Sequence, residues 1–351
     1  MSAMRRHRLV VVLATFAAIL TSSPAAGAVV PPAAQAAPDQ EGVSFTAWWR
    51  TLYDGTEPEQ AMANIADTGA EWVSILATWY QPTYTSTNIA ATRATPTDAG
   101  VVHMIRHAHT LGLEVMLKPH VDLFNDPAHW RGQIGTTWGR RSPKWDQWFQ
   151  EYRRFIFHYA ALAEREGVEQ LSVGCELSGT VRRTQQWRGV IAGIRNRFSG
   201  TLVYASTAGA ETTRIQWWDS LDLIGVDAYY ELTDSNDPTV AELEAGWAPW
   251  LEDLAALSTR WGGKPIIFTE IGYRSIDGAN QAPWDWQRTG TVDLQEQADC
   301  YEAALATVWD EPWFAGMFWW DWSAVPSIGG LTDDGYTPFD KPAEDVLRAW
   351  Y

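Results

Sequence analysis

Two glutamates stand where apolar runs end. Glu270 follows the run 266–269, which begins after Gly262-Gly263-Lys264-Pro265, and Glu176 follows the run 168–175. A carboxylate at the end of a buried strand is costly to desolvate unless it has a partner or a task. Taken singly, each is as well explained by an ion pair with an arginine. Other chemistry-bearing residues fall at the same kind of place. Lys118, His120 and Asp122 close the run that starts at Glu114, Asp227 and Tyr229 close the run that starts at Leu221, and aromatic pairs end two more: Trp48-Trp49 and Trp79-Tyr80. Two carboxyl groups of unlike protonation state are what hydrolysis of a glycosidic bond requires. One protonates the leaving oxygen, and the other attacks the anomeric carbon or activates water. A separation of roughly 5–5.5 Å goes with retained configuration and a wider gap with inversion. Desolvation and a neighbouring negative charge raise one pKa, while donors keep the other group ionised. Tyr229 is placed to donate to Glu270, and Lys118 and His120 to tune the site or hold hydroxyls.

The elements that must position these residues alternate along the chain. Strand-like runs at 43–48, 72–78, 114–119, 168–175, 202–206, 221–226, 266–269 and 315–320 are each followed by a stretch of helical spacing, with room for only a short helix at 216–219. Eight strand-then-helix units predict a single-domain α/β protein, a (β/α)8 TIM barrel over 42–351. A doubly wound sheet is disfavoured by the count of eight and by the lack of a glycine-rich phosphate loop after the first strand. In such a barrel the active site lies at the C-terminal ends of the strands. That is where Lys118, His120, Asp122, Cys175, Glu176, Asp227, Tyr229, Glu270 and the run Trp319-Trp320-Asp321-Trp322 converge.

The first residues read as an address. Arg5, Arg6 and Arg8 precede an apolar run from 9 to 20, and Ala26-Gly27-Ala28 and Ala34-Gln35-Ala36 offer small-residue cleavage sites. This predicts a secretory signal peptide over 1–36, cleaved near 28 or 36, a linker at 37–41, and an extracellular protein. A membrane anchor is the competing reading, but the run is too short to span comfortably. The formal charge is −17, and loss of the three leader arginines takes it to −20. So acidic a chain repels nucleic acid and anionic lipid, and suits a monomer acting on a neutral polysaccharide or oligosaccharide. Two cysteines, Cys175 and Cys300, make no disulfide scaffold, and they are expected on different layers. The 22 tryptophans exceed the ordinary need of a core, and exposed indoles are suited to stack on sugar faces. No cofactor or metal is expected. His103 and His107 have a ligand-compatible spacing, but their helical placement puts them on the outside of the barrel, away from its mouth.

An acid on the fourth strand and a nucleophile on the seventh resembles the glycoside hydrolase clan A barrels. Within that clan the chain is similar to glycoside hydrolase family 113, the endo-β-1,4-mannanases. The resemblance is carried by Leu117-Lys118-Pro119-His120-Val121-Asp122, Val173-Gly174-Cys175-Glu176-Leu177, Gly225-Val226-Asp227-Ala228-Tyr229 and Phe268-Thr269-Glu270-Ile271-Gly272-Tyr273, over most of 42–351. It implies a retaining mechanism with Glu176 as acid/base, Glu270 as nucleophile and Tyr229 in support. Trp320 would lie under the cleaved sugar, with further substrate contacts at Trp48, Lys118, His120, Asp122, Cys175 and Asp227. The clan usually carries asparagine before the acid/base, bonded to the sugar 2-hydroxyl, where this chain has Cys175. The alternatives are another clan A β-glycanase, a β-mannosidase, or a barrel that binds glycan without cleaving it.

Overall fold

A computed structural model describes residues 40–351. The expected signal peptide, and the linker up to residue 39, lie outside the described residues. Eight parallel strands close a barrel in sequence order. They are β1 (Gln40–Thr46), β2 (Trp72–Gln81), β3 (Glu114–Leu123), β4 (Gln170–Cys175), β5 (Thr201–Thr207), β6 (Ile224–Asp227), β7 (Ile266–Ile271) and β8 (Phe314–Ser323). The helices between and after them are α1 (Glu57–Ala66), α2 (Asp98–Thr110), α3 (Lys144–Glu166), α4 (Thr184–Arg195), α5 (Ala210–Arg214), α6 (Val240–Arg260), α7 (Leu294–Val308) and α8 (Pro342–Trp350). Strands covered on both faces read as unbroken apolar runs, and all six positions of β4 and of β7 are buried.

The differences from the sequence reading are local. β1 begins at Gln40 and ends at Thr46, because the polar pair Gln40-Glu41 zips onto Gly316 and Met317 of β8. The two last residues assigned to the linker therefore belong to the barrel, and Trp48 and Trp49 fall beyond the strand. β3 continues through Pro119 to Leu123, which puts His120 and Asp122 inside the strand. Proline lacks the N–H a ladder needs, and the β3–β4 ladder stops at Leu117, before Pro119. The short fifth helix forms at Ala210–Arg214, with only a 3-10 turn at Trp218–Ser220.

Phe318, Met116, Val203, Ile267 and Trp72 pack together as a separate cluster that plugs the barrel. A Cβ on Gly42 would lie 2.5 Å from the Phe318 ring, so a residue without a side chain stands there. Seven tryptophans (Trp148, Trp187, Trp217, Trp218, Trp247, Trp319 and Trp322) are fully buried, so much of the unusual tryptophan content is packing. Several also fasten the site-bearing loops. The Trp148 indole donates to Gln81 at the end of β2, and those of Trp187 and Trp217 donate to the carbonyls of Thr180 and Val181, in the loop after β4. Burying these rings and satisfying their N–H groups at loop backbones fixes the positions from which the site is built.

Candidate active site

The floor of the site is a buried salt cluster. Lys118, pointing inward from β3 and without exposed surface, donates to Glu270 Oε1 at 2.6 Å, to Asp227 Oδ1 at 3.2 Å and to the Thr269 carbonyl at 3.0 Å. Thr269 Oγ1 donates to the same Asp227 oxygen at 2.8 Å. Burial alone would lower the Lys118 pKa, but Asp227 and Glu270 outweigh it and hold the ammonium charged. Burial and the Glu270 charge push Asp227 up to about 7, against the pull of Lys118 and Thr269. Tyr229, just past β6, donates its phenol to Glu270 Oε2 at 2.8 Å. Burial and the neighbouring Glu270 keep that phenol protonated, with a pKa well above its ordinary value. Both oxygens of Glu270 thus accept from fixed donors. The Tyr229 ring is braced edge-on by Tyr336, which donates to the Pro283 carbonyl on the loop after β7.

Glu176 sits in a contrasting setting. Its backbone lies in the left-handed region at φ 53°, a conformation uncommon for a side-chain-bearing residue and found where surrounding structure enforces it. The enforcement comes from hydrogen bonds on both sides. The Glu176 N–H donates to the Ala205 carbonyl at 2.8 Å, and the Leu177 N–H donates to the Tyr204 hydroxyl at 2.8 Å. That hydroxyl donates in turn to buried Glu211 at 2.6 Å, and Glu211 also receives Ser178 and Thr207. Among the described residues the one cation in ion-pair range of the Glu176 carboxyl is Arg131, with Nη2 at 3.6 Å. Burial raises its pKa; Arg131 pulls it down while Asp227, Glu270 and Glu211 push it up, and it comes to about 8. This setting favours the protonated carboxyl.

Of the residues that the sequence expects to converge, Lys118, His120, Cys175, Asp227, Tyr229 and Glu270 are brought together, whereas Trp319 stacks on Tyr301 of α7 and Trp322 packs on Phe339. Cys175 Sγ lies 3.6 Å from Asp227 Oδ2 and 4.0 Å from Glu270 Oε1, and burial raises its thiol pKa well above the ordinary value, which leaves it a thiol. His120 Nε2 lies 4.0 Å from Glu270 Oε1 without a hydrogen-bond partner. Burial, then the charges of Arg131 and Lys118, hold its pKa well below 6.5, so the imidazole is neutral. Lys118, Cys175 and Asp227, expected among the substrate contacts, are buried, and the partners they have are one another, Thr269 and Glu270. Asp122 caps its own strand end through the Leu123 N–H at 2.8 Å. Trp48 is 43% exposed, with its ring 6.1 Å from that of half-buried Trp320, and the Trp320–Asp321 peptide bond is cis. Of the tryptophans on the connections after β3 and β7, Trp138 is buried, whereas Trp130, Trp284 and Trp286 are exposed.

Among the described residues two groups could hold a metal ion: His120, Cys175 and Glu270, and Cys175, Glu176 and Asp227, with donor atoms within 4.8 Å of one another in each. In both, the Lys118 ammonium already neutralises a carboxylate of the set. His103 instead bonds Glu59 at 2.8 Å and the Tyr53 carbonyl at 3.0 Å, on the helical layer. Arg131 and Glu211 were not singled out by the sequence reading.

The fold that carries this site is shared with known proteins. The model of glycoside hydrolase family 113 matches residues 44–341. The chain belongs to glycoside hydrolase family 113. It is therefore a glycoside hydrolase. Two solved structures of family 113 β-1,4-mannanases, one of them a complex, are 28% and 29% identical, each with TM-score 0.81 over 89% of this chain and 98% of theirs. The family 113 β-mannanase AaManA from Alicyclobacillus acidocaldarius, in complex with ManMIm, is 30% identical over 88% of this chain and 96% of its own, with TM-score 0.77. A comparison with curated protein sequences finds no match.

Proposed function

We propose that this family 113 hydrolase is a retaining endo-β-1,4-mannanase acting by double displacement. The observation that carries the mechanism is the unlike setting of the two glutamates. Glu270 accepts from an ammonium and a phenol on its two oxygens, which suits a carboxylate nucleophile. Glu176, desolvated and without a hydrogen-bond donor, holds a proton, which suits the acid. In the first step Glu270 attacks the anomeric carbon, and the Glu176 proton passes to the leaving oxygen as the glycosidic bond breaks. In the second, the Glu176 carboxylate takes a proton from water as that water displaces Glu270. Mannan as the substrate rests on the mannanases to which the chain is similar. A polymer substrate fits an enzyme working outside the cell, and a secreted form starting near residue 29 or 37 is expected on N-terminal sequencing. Mannan, glucomannan, glucan and xylan should be tested together with product analysis. Internal cleavage of the mannans, with the β-anomer released first by proton NMR, is the expected result. Faster turnover of xylan or glucan, or release of the α-anomer first, would overturn the proposal.

The raised Glu176 pKa has two consequences of known sign. Activity needs the protonated acid, so kcat/KM should fall as pH rises through about 8. Stability moves the same way. The unfolded carboxyl loses its proton near pH 4.3 while the folded one keeps it, so the folded state binds more protons and loses stability as pH rises between those values. Glu176→Gln should therefore raise the melting temperature at pH 8 by at least about 2–4 °C, the shift that 1 kcal/mol produces, and leave it unchanged at pH 4. A variant that is no more stable at pH 8 would show that Glu176 is not held protonated by burial.

A further inference from the structure

The connection from β3 to α3 folds a short turn, Arg131–Gln133, against the acid. Arg131 Nη2 approaches Glu176 Oε2 only to 3.6 Å, beyond a good hydrogen bond, and Arg131 Nη1 is buried with no partner at all. A guanidinium has five N–H donors, and a buried donor without an acceptor is destabilising. Here a cation short of acceptors lies beside the oxygen that must deliver a proton to the leaving group. Its neighbour Trp130 is 45% exposed. A Cβ on Gly132 would lie 2.2 Å from the Trp130 ring, so the indole packs directly on that glycine while nearly half of the residue stays open. The turn is fixed from both sides. Gln133 accepts from the Trp130 N–H at 3.1 Å, and Gly179, in the loop after β4, donates to the Gly132 carbonyl at 2.8 Å.

We propose that Arg131 and Trp130 form the subsite for the leaving sugar, the indole face against its C–H face and the guanidinium on its hydroxyls. The inference rests on the double-displacement reading. The side of the site follows from charge and position. Lys118 and Tyr229 are committed to Glu270, whereas Arg131 faces Glu176, and hydroxyls within its reach belong to the sugar across the scissile bond. The occupant is a neutral hexopyranose. The Asp122 and Glu270 charges already act on the guanidinium, and an acidic sugar would meet their repulsion.

The covalent sugar–Glu270 ester separates this role from a purely electrostatic one. Water or an added sugar can resolve the ester. In both cases Glu176 takes the proton of the incoming O–H as the new bond to the anomeric carbon forms and the bond to Glu270 breaks. A change in Glu176 basicity alters both fluxes alike, and only a subsite alters their ratio. With an activated aryl β-mannobioside as donor and mannobiose as acceptor, Arg131→Met and Trp130→Ala should each lower the ratio of transfer to hydrolysis about tenfold, the worth of one good hydrogen bond or stacking contact. Trp130 is at the surface, so its variant remains informative if Arg131→Met folds poorly. An unchanged ratio in Trp130→Ala, or transfer and hydrolysis falling in proportion in Arg131→Met, overturns the subsite. A parent enzyme that forms no transfer product and releases the α-anomer overturns the double displacement, and the subsite inference with it.

Discussion

Glu270→Ala is expected to lower kcat on the polysaccharide by about 10^4- to 10^6-fold, or roughly 5–8 kcal/mol of barrier at 1.36 kcal/mol for each tenfold. The carboxylate would be gone, but its partners would stay. Lys118 would still be anchored by Asp227 and the Thr269 carbonyl, and Tyr229 would still be braced by Tyr336. The space vacated is thus faced by an ammonium and a phenol, a setting for a small anion. Azide entering it attacks an activated aryl glycoside from the nucleophile's side in a single displacement, so the product should be the α-glycosyl azide. Azide with Glu176→Ala should do the reverse. There the covalent ester still forms from a substrate with a good leaving group, azide displaces Glu270, and the β-glycosyl azide results. A β-azide from Glu270→Ala, or more than about a hundredth of parental activity in its absence, would remove Glu270 from the role of nucleophile.

How much of this was readable in the sequence depends on where the information is stored. Parallel strands buried on both faces must be apolar throughout, so runs such as 266–269 declare themselves, and the first polar residue after each marks the barrel mouth. Glu176, Glu270 and Asp227 were found that way, and Tyr229, two residues past Asp227, is joined to Glu270 at 2.8 Å. The same rule hid the start of β1, because Gln40 and Glu41 pair with β8 through backbone groups that carry no sequence signature. Arg131 was out of reach for a different reason. It sits on the irregular connection from Leu123 to Lys144, where no periodicity says which side chain folds back over Glu176. Glu211 belongs to the five-residue α5, too short for its spacing to be read, and its link to the acid runs through Tyr204 to a backbone N–H. The strand ends thus carry the clustered polar groups, whereas Arg131 and Glu211 lie on connections whose folding the residue spacing does not declare.

Lys118→Met is the substitution expected to damage both stability and chemistry. The Lys118 side chain has no exposed surface, and its ammonium is the cation bonded to both Glu270 and Asp227. Methionine fills much the same volume, so the change is close to a removal of charge. Breaking a buried pair from one side leaves an uncompensated charge and costs about 3–5 kcal/mol. The pH dependence follows from the carboxyl that remains. Asp227 is already raised to about 7 by burial and by Glu270, with Lys118 opposing. Without the ammonium it rises further, so the folded state holds a proton that the unfolded chain has lost above about pH 4. The parent keeps the Asp227 proton up to about pH 7 as well, so the deficit should change little below pH 7 and grow from there to be largest at pH 8. kcat should fall about 10^2- to 10^3-fold at neutral pH, because Glu270 loses the donor at 2.6 Å and the cation that balances its charge, a loss on the scale of one electrostatic contact in an active site. Urea melts and initial rates at pH 5 and pH 8 measure both effects. If Lys118→Met matches the parent in stability at pH 8 and keeps more than about a tenth of its kcat, the ammonium is not what holds the two carboxylates at the centre of the barrel.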